Sequence, residues 1–487
     1  MHVQRLTTSI MILALGFACR ASAVVIHVPA DYATIQEAID AAVDGDEILI
    51  APGTYIQANL SLNEKAITIG GTAGAESTIL EFTAAGPVGF SVSAVDADTI
   101  IENLTIANSG VNFGVGVVYL IGTPTVRDCI FENNDGSYPF LINAPSDPGS
   151  GATILNCVFR NNTITVRVLG ATIEGCTFIE NSGPRAALLA DAGSVTNCHF
   201  QSNHSTTVGG GAMTVAPYDD VVIDGCTFVS NSTDNAGGGA IFVGSPSEGD
   251  RAATIMNCGF DGNSAAAGQG GAIHADMSAG TGTATVMNCS FTGNVAPTGG
   301  AAWLGVGATM IDCQLTSNSA TIGGGVVLDD GSSISLCTFG GNTADNGGAI
   351  SVTGTTAMIT DCVANGNIAV LSGGGLHIPV GMTATATNST FCMNTPDQID
   401  IGGLFNASNV LACDMPLDDL GACCLPSGDC VVTTESSCLA AGGSYFGDGT
   451  VCADVECGAP CVGDVNGDGV VNVNDLLIVL AAWGICL

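Results

Sequence analysis

The sequence predicts an all-β fold, a parallel β-helix solenoid, and three observations carry that expectation. The first is a phrase repeated with little variation, as in Ile154-Leu155-Asn156-Cys157-Val158-Phe159-Arg160-Asn161-Asn162. Its cysteine recurs at Cys129, Cys157, Cys176, Cys198, Cys226, Cys258, Cys289, Cys313, Cys337 and Cys362, and an eleventh copy has Ser389 there. In every copy an apolar residue stands three positions earlier and an asparagine five positions later, from Asn134 to Asn394. Ten steps cover the 260 residues from 129 to 389, a mean of 26, which is the signature of stacked repeats. The second observation is that the steps vary from 19 to 32, which loops between stacked strands accept. The repeated segments are short, β-branched and glycine-rich, with few helix-forming residues. The third is alternation: Cys-x-Phe sends Cys and Phe to one side and the residue between them to the other. Neighbouring coils lie about 4.8 Å apart, so like side chains stack, and stacked Asn amides can hydrogen-bond from coil to coil. These columns read as core and turn positions rather than ligands.

Taken in order, residues 1–23 read as a secretory signal, with Arg5, an apolar run from Ile10 to Phe17 and Ala21-Ser22-Ala23 as cleavage site. A lipoprotein reading at Cys19 ranks second, because Gly16 stands where that motif wants Leu. Export would place the chain outside the cell or on its surface and permit disulfides. No other run reaches about 18 apolar residues, the length a membrane-spanning helix needs. Residues 24–60 read as an N-terminal cap: Ile35, Ala38, Ile39 and Ala42 share one helical face, suited to plugging the open end of a coil. Gly45-Asp46 breaks that helix, and Glu47-Ile48-Leu49-Ile50 begins a strand ending at Pro52-Gly53-Thr54-Tyr55. This opening resembles that of the pectin-lyase-like right-handed β-helix proteins, pectin methylesterases among them, and the resemblance implies a right-handed coil.

Residues 61–412 form the repeats, with irregular first coils expected at Ala66–Gly70, Ser77–Phe82 and Thr99–Ile106. From residue 208 Gly-Gly pairs join each repeat, as in Gly210-Gly211-Ala212-Met213, Gly238-Gly239-Ala240-Ile241 and Gly374-Gly375-Leu376. Glycine suits a sharp corner that needs positive φ. Together, Gly-Gly-Ala-Ile and Phe-x-x-Asn resemble the repeats of the polymorphic outer membrane proteins, which are surface-exposed, adhesin-like β-helices. The likeness covers about residues 100–395 and implies a surface role; membrane insertion is not carried over with it.

Residues 413–460 read as a small module stapled by Cys423, Cys424, Cys430, Cys438, Cys452 and Cys457, with fifteen pairings open. A zinc site fits less well, since no His lies there. Cys392 with Cys413 and Cys461 with Cys486 complete the expected bridges, and the ten column cysteines are expected to stay free as buried apolar filler. Residues 461–487 carry an EF-hand-like loop, Asp464 to Asp475. Asp464, Asn466, Asp468, Asn472 and Asp475 fall at positions 1, 3, 5, 9 and 12, Val470 offers its carbonyl at 7, and Gly469 makes the turn at 6. The expected cofactor is calcium. The stretch from Gly463 to Gly484 resembles one repeat of a type I dockerin, the module that plugs polysaccharide-degrading enzymes into cohesins, and so implies a cohesin-like or other protein partner. Those modules normally carry two such repeats, and this stretch holds one. The helix expected over Leu476–Trp483 is apolar on every side, so it must bury itself against the Cys-rich module, another copy or a partner.

The formal charge is −37. Outside the leader the only cations are Lys65, Arg127, Arg160, Arg167, Arg185 and Arg251, too few to neutralise phosphates, so nucleic-acid binding is excluded. Two functions compete. One is an exported, non-catalytic surface or adhesive protein that binds carbohydrate or a protein through a coil face and docks through the calcium-dependent tail. The other is an extracellular polysaccharide lyase or glycoside hydrolase of the pectin-lyase-like fold. No clustered Asp with Arg or Lys along the regular coils supports the second. Alternation does mark one face: with Met213, Ile241, Ile273, Ala302, Val327, Ile350 and Leu376 inward, Thr214, Phe242, His274, Trp303, Leu328, Ser351 and His377 point out. Phe242, His274 and Trp303 would stack on consecutive coils as a ligand face for sugar rings or a protein, unless loops fold over them. Asp276 and Asp330 flank that face about 9.6 Å apart by strand spacing, just beyond the window of about 6.5–9.5 Å that an inverting glycosidase needs.

Overall fold

The computed structural model describes residues 22–57, 59–82, 90–95, 98–107, 118–135, 140–143, 151–163, 166–217, 219–235, 237–244, 251–278, 280–413, 421–426, 428–448, 450, 452, 455 and 457. Among them, three parallel sheets of 16, 15 and 14 strands run the length of the coil. We call them sheets I, II and III in the order the chain visits them. One coil shows the pattern: Thr153–Leu155 in sheet I, Val158–Arg160 in sheet II, Val166–Leu169 in sheet III, then Ala171–Glu174 back in sheet I. Consecutive coils pair in register, Ile154 with Ile173 and Phe159 with Phe178.

Two left-handed residues per coil bracket the sheet II strand and turn the corners. Asn156 (φ +52°) precedes Cys157, and Asn161 (φ +55°) precedes Asn162. The first position is filled in other coils by Asn197, Gly225, Asn257 and Asp312, residue types that enter this region at least cost. Leu336 (φ +58°) is the exception, an exposed leucine held where its Cβ crowds the backbone. The sequence phrase showed these positions only as turn-like; the dihedrals explain their composition.

Three columns fill the corner between these residues. The phenylalanines stack from Phe131 through Phe159, Phe178, Phe200, Phe228 and Phe260 to Phe291, with ring centroids 4.6–4.9 Å apart. Leu315 and Ala364 interrupt the column farther on. The ten column cysteines are buried and free, as alternation required. They are more than apolar filler. The Cys157 N–H donates to Cys176 Sγ (3.4 Å), and the Cys157 thiol donates to the Leu155 carbonyl (3.3 Å). Ser389 keeps both contacts: its Oγ accepts from the Cys362 N–H (3.1 Å) and donates to the Thr387 carbonyl (2.9 Å). The thiol of the preceding coil, then burial, pushes Cys258, Cys289, Cys313 and Cys337 up to about 12. At these four positions the thiolate that would react is therefore absent at neutral pH.

The asparagine column is a closed relay. Asn294 Oδ1 accepts from both the N–H and the Nδ2 of Asn263, at 2.9 and 3.0 Å. Its own Nδ2 donates back to the Phe260 carbonyl (3.1 Å) and on to Asn318 Oδ1 (2.9 Å). The same bonds repeat from Asn134 to Asn394, every member buried. Gln398 ends the column, its Oε1 accepting from the N–H and Nδ2 of Asn394 at 3.0 Å. Each amide has two donors and an acceptor with two lone pairs, and all are used.

At the start, helix α1 (Ile35–Ala41) opens on a capping box between Thr34 and Glu37, and buries Ile35, Ala38 and Ile39 in the coil interior. The strand expected to run from Glu47 to Tyr55 is two strands: Glu47–Ile50 in sheet I and Gly53–Gln57 in sheet II. In the first coils, expected to be irregular, sheet I is in register, with Ile48 paired to Ile69 and Ile69 to Ile101, whereas sheet III shifts register between Leu120 and Gly122. Leu104 takes the cysteine's place there, after the left-handed Asn103. At the other end a three-stranded antiparallel sheet (Gly421–Cys424, Cys430–Thr433, Ser444–Asp448) and helix α2 (Glu435–Ala440) carry the bridges 423–438, 424–457 and 430–452. The Sγ atoms of Cys424, Cys430 and Cys457 cluster within 4.8 Å, but all three are in disulfides and offer no thiolate to zinc. A fourth bridge joins Cys392 to Cys413 across adjacent coils. The sheet sits on the last coil: Val432 joins Phe405 and Ile401 in the main core, and Thr433 Oγ1 donates to the Gly403 carbonyl (3.4 Å). No helix among the described residues is long and apolar enough to cross a membrane.

The relay sets the first expected outcome. Asn294→Ala strips partners from the Phe260 and Asn318 oxygens and from both Asn263 donors, a loss of roughly 3–5 kcal/mol by the cost of buried unpaired groups. A thermal midpoint within a degree or two of the parent would show the relay to be dispensable.

Candidate ligand site on the third sheet

The outward residues of sheet III form one register column: Arg167, Leu189, Thr214, Phe242, His274, Trp303, Val327, Ser351, His377 and Asp400. The column differs from the sequence expectation at one coil. Val326, not Val327, pairs with Ala302, so Val327 and not Leu328 continues the outward row. Three small apolar residues in succession leave the alternation ambiguous there.

Phe242, His274 and Trp303 stack as the alternation required, with centroids 5.0 and 4.6 Å apart and ring planes within 20°. They do not form an open shelf. Trp303 is 7% exposed, and Val327 and Ser351 beyond it are fully buried. The cause is the Gly-Gly corner, where the chain turns back over the column so closely that only glycine fits. A Cβ on Gly237 would lie 2.4 Å from His274 Nδ1, and one on Gly323 would lie 2.5 Å from Val327 Cγ2. The imidazole is thereby trapped: His274 Nδ1 is buried with no hydrogen-bond partner. Burial pushes His274 down to about 4, against the opposing pull of the Asp276 carboxylate. Farther along, His377 Nδ1 meets Asp400 at 2.8 Å.

Among the described residues the cover opens beside Thr214. The stack ends at Thr214, and in the place of a fourth ring is a cavity of about 150 Å³ lined by Arg185, Leu189, Val208, Thr214 and Phe242. Arg127, Arg160, Arg167 and Arg251 are all ion-paired, to Glu102, Glu132, Asp191 and Asp219, and Lys65 donates to the carbonyls of Ile39 and Asp40. Arg185 is exposed and, alone among the described cations, makes no such contact. Sequence reasoning placed Thr214 in the outward row but missed Arg185 and Val208, which come from connections whose path no periodicity reveals.

The acid pair does not form a site. Asp276 caps its own turn, accepting from the N–H and Oγ of Ser278, each at 2.9 Å, and Asp330 ties two coils together, accepting from the N–H and Oγ1 of Thr355 on the next one. The backbone N–H of Thr355 holds Asp330 below the usual carboxylate range, the wrong direction for a general acid. The calcium loop (Asp464, Asn466, Asp468, Val470, Asn472, Asp475), the helix after it, the 461–486 pair and most of the signal segment lie outside the described residues.

Residues 147–315 match a family model described as a right handed beta helix region, and residues 336–353 match the Chlamydia polymorphic membrane protein repeat. No curated protein sequence matches the chain. Among solved structures it is similar to the catalytic unit of a thermostable GH87 alpha-1,3-glucanase from Streptomyces thermodiastaticus, at 14% identity over 78% of this chain and 65% of that one, with a TM-score of 0.37. A PL6 alginate lyase in complex with a trisaccharide matches at 13% identity over 88% and 92%, TM-score 0.38. The receptor-binding tailspike of bacteriophage Det7 matches at 13% over 81% and 77%, TM-score 0.31. At these scores the structures carry no activity over to this chain.

The trapped imidazole predicts an acid response. His274 is neutral in the fold down to about 4, whereas an unfolded histidine protonates near 6.5. Its contribution to stability is therefore complete above about pH 6.5 and is lost progressively as the pH falls towards 4. His274→Phe, which keeps the stack, should show a smaller drop in thermal midpoint between pH 7 and pH 4.5 than the parent. Equal drops would mean that the imidazole is not the group that titrates.

Proposed function

We propose that the protein is an exported, non-catalytic surface protein that binds the end of a glycan chain in the cavity beside Phe242. One observation carries this reading: the aromatic column stops one ring short, and the cavity lies in the missing ring's place. About 150 Å³ suits a single sugar ring. Phe242 would present a π-face to its C–H groups, while Thr214 and the uncommitted Arg185 guanidinium supply polar contacts at the rim. The polar environment of Asp276 and Asp330 within their turns speaks against hydrolysis or elimination.

The reading includes two further proposals. Helix α1 acts as the plug of the coil's first end. The tail loop binds one calcium: Asp464, Asp468 and Asp475 with Asn466, Asn472 and the Val470 carbonyl form an all-oxygen donor set of the kind that hard cations take. The resemblance to half a dockerin then makes the tail a docking element.

Titration calorimetry against a panel of neutral and acidic oligosaccharides tests the glycan site. Phe242→Ala should weaken binding about tenfold or more, since stacking on a ring is worth about 0.5–1.5 kcal/mol beyond area, and Thr214→Phe should abolish it by completing the column. Turnover of any oligosaccharide would instead establish the enzyme reading, and binding indifferent to both substitutions would exclude this cavity. For the tail, calorimetry should find one calcium per chain, lost in Asp475→Ala, because position 12 normally supplies the bidentate ligand; an unchanged isotherm would refute it.

A further inference from the structure

The outer face of sheet II changes character near its C-terminal end. Along one register column its residues run Thr177, His199, Thr227, Gly259, Ser290, Gln314 and Thr338, then Val363, Thr390 and Leu411. At the left-handed corner after the strand, Ser317, Gly341 and Gly366 give way to Met393. Between these lies the strand Ile368–Ser372, which shifts register against Thr343–Asn346 and leaves Val370 and Leu371 standing out, 72% and 66% exposed. Ile368 bridges to Thr395 on the next coil, two residues past Met393, so apolar residues of neighbouring coils lie along the same corner. Val363, Ile368, Val370, Leu371, Met393 and Leu411 are all exposed apolar residues. Six exposed apolar residues gathered on three successive coils mark an interaction surface.

We propose that this patch is covered by the chain's own segment Leu476–Trp483. The segment is uncharged and apolar throughout. Its tether starts at the last coil, because Cys457 is bridged to Cys424 in the module seated there. With Cys461 bridged to Cys486 as expected, the path from Cys457 to Trp483 still reaches about 30 Å when extended, whereas the Val370 coil is two spacings, about 10 Å, from the last coil. A tether of that length holds the segment at an effective concentration in the millimolar range. A second copy is disfavoured, since two chains of formal charge −37 repel one another. The inference does not depend on the glycan site or on calcium.

The full chain has two tryptophans, and Trp303 is buried, so acrylamide quenching reports on Trp483 without a background mutation. In the parent both should be shielded and the protein monomeric by light scattering. Val370→Asp and Leu371→Asp, surface changes that spare the core, should raise the accessible fraction to about one half, one indole of two, with no change in mass. Val380→Asp, equally exposed but on another corner, should change nothing. Quenching of a full indole already in the parent, or the same quenching in parent and patch variants, would overturn the proposal. A parent dimer that the patch variants dissociate would also overturn it, by giving the patch to a second copy.

Discussion

The structure depends on the asparagine relay. A parallel coil satisfies its backbone along the strands, but at each corner the chain must present groups that no strand partner meets. The buried Asn amide at that corner answers three of them at once: the carbonyl of the Phe one coil back, the N–H of the Asn one coil back, and the next amide in line. This ties every coil to both neighbours through the interior. It also explains why the position is invariant among the eleven copies while the cysteine is not: Ser389 can do what a thiol does, but Asp would put a carboxylate oxygen against two carbonyls. The relay fixes the register of the Phe column beside it, and that register holds the rings near 4.7 Å.

Much of this was legible in the residues themselves. Period-2 alternation placed Cys and Phe inward, the fixed Cys-to-Asn spacing placed the relay, and the sidedness of Ile35, Ala38 and Ile39 placed the first helix. What stayed hidden depends on contacts between segments far apart in sequence. The early coils use Leu104 where later ones use Cys, so the cysteine count begins after the coil does. Gln398 terminates the relay from four residues away, off the repeat altogether. Val432 lies in a different module and nothing local marks it as solenoid core. The disulfide connectivity likewise needs three dimensions.

The candidate site shows the same division. Alternation identified the stack of Phe242, His274 and Trp303, but not its burial, because the glycines that permit the chain to double back carry no sign of where it goes. Those glycines bury the row at Trp303, Val327 and Ser351 and leave Phe242 and His274 half-buried. The cavity exists only where the cover begins, between a coil without the Gly-Gly corner, at Leu189, and the first coils that have it. The position of the site therefore follows from the point along the chain at which one motif starts.

Four disulfides and ten free thiols coexist in the described chain. The column cysteines are stacked at the coil spacing of about 4.8 Å, inside the Cα separation at which a disulfide can form. Geometry alone would let neighbours join. At Cys258, Cys289, Cys313 and Cys337 the neighbouring thiol and burial withdraw the thiolate, and that protection exists only once the coil has closed. An unfinished chain in an oxidant has no such distinction between cysteines meant to pair and those meant to remain reduced. Were the chain oxidised before its coils closed, neighbouring column cysteines would be free to join.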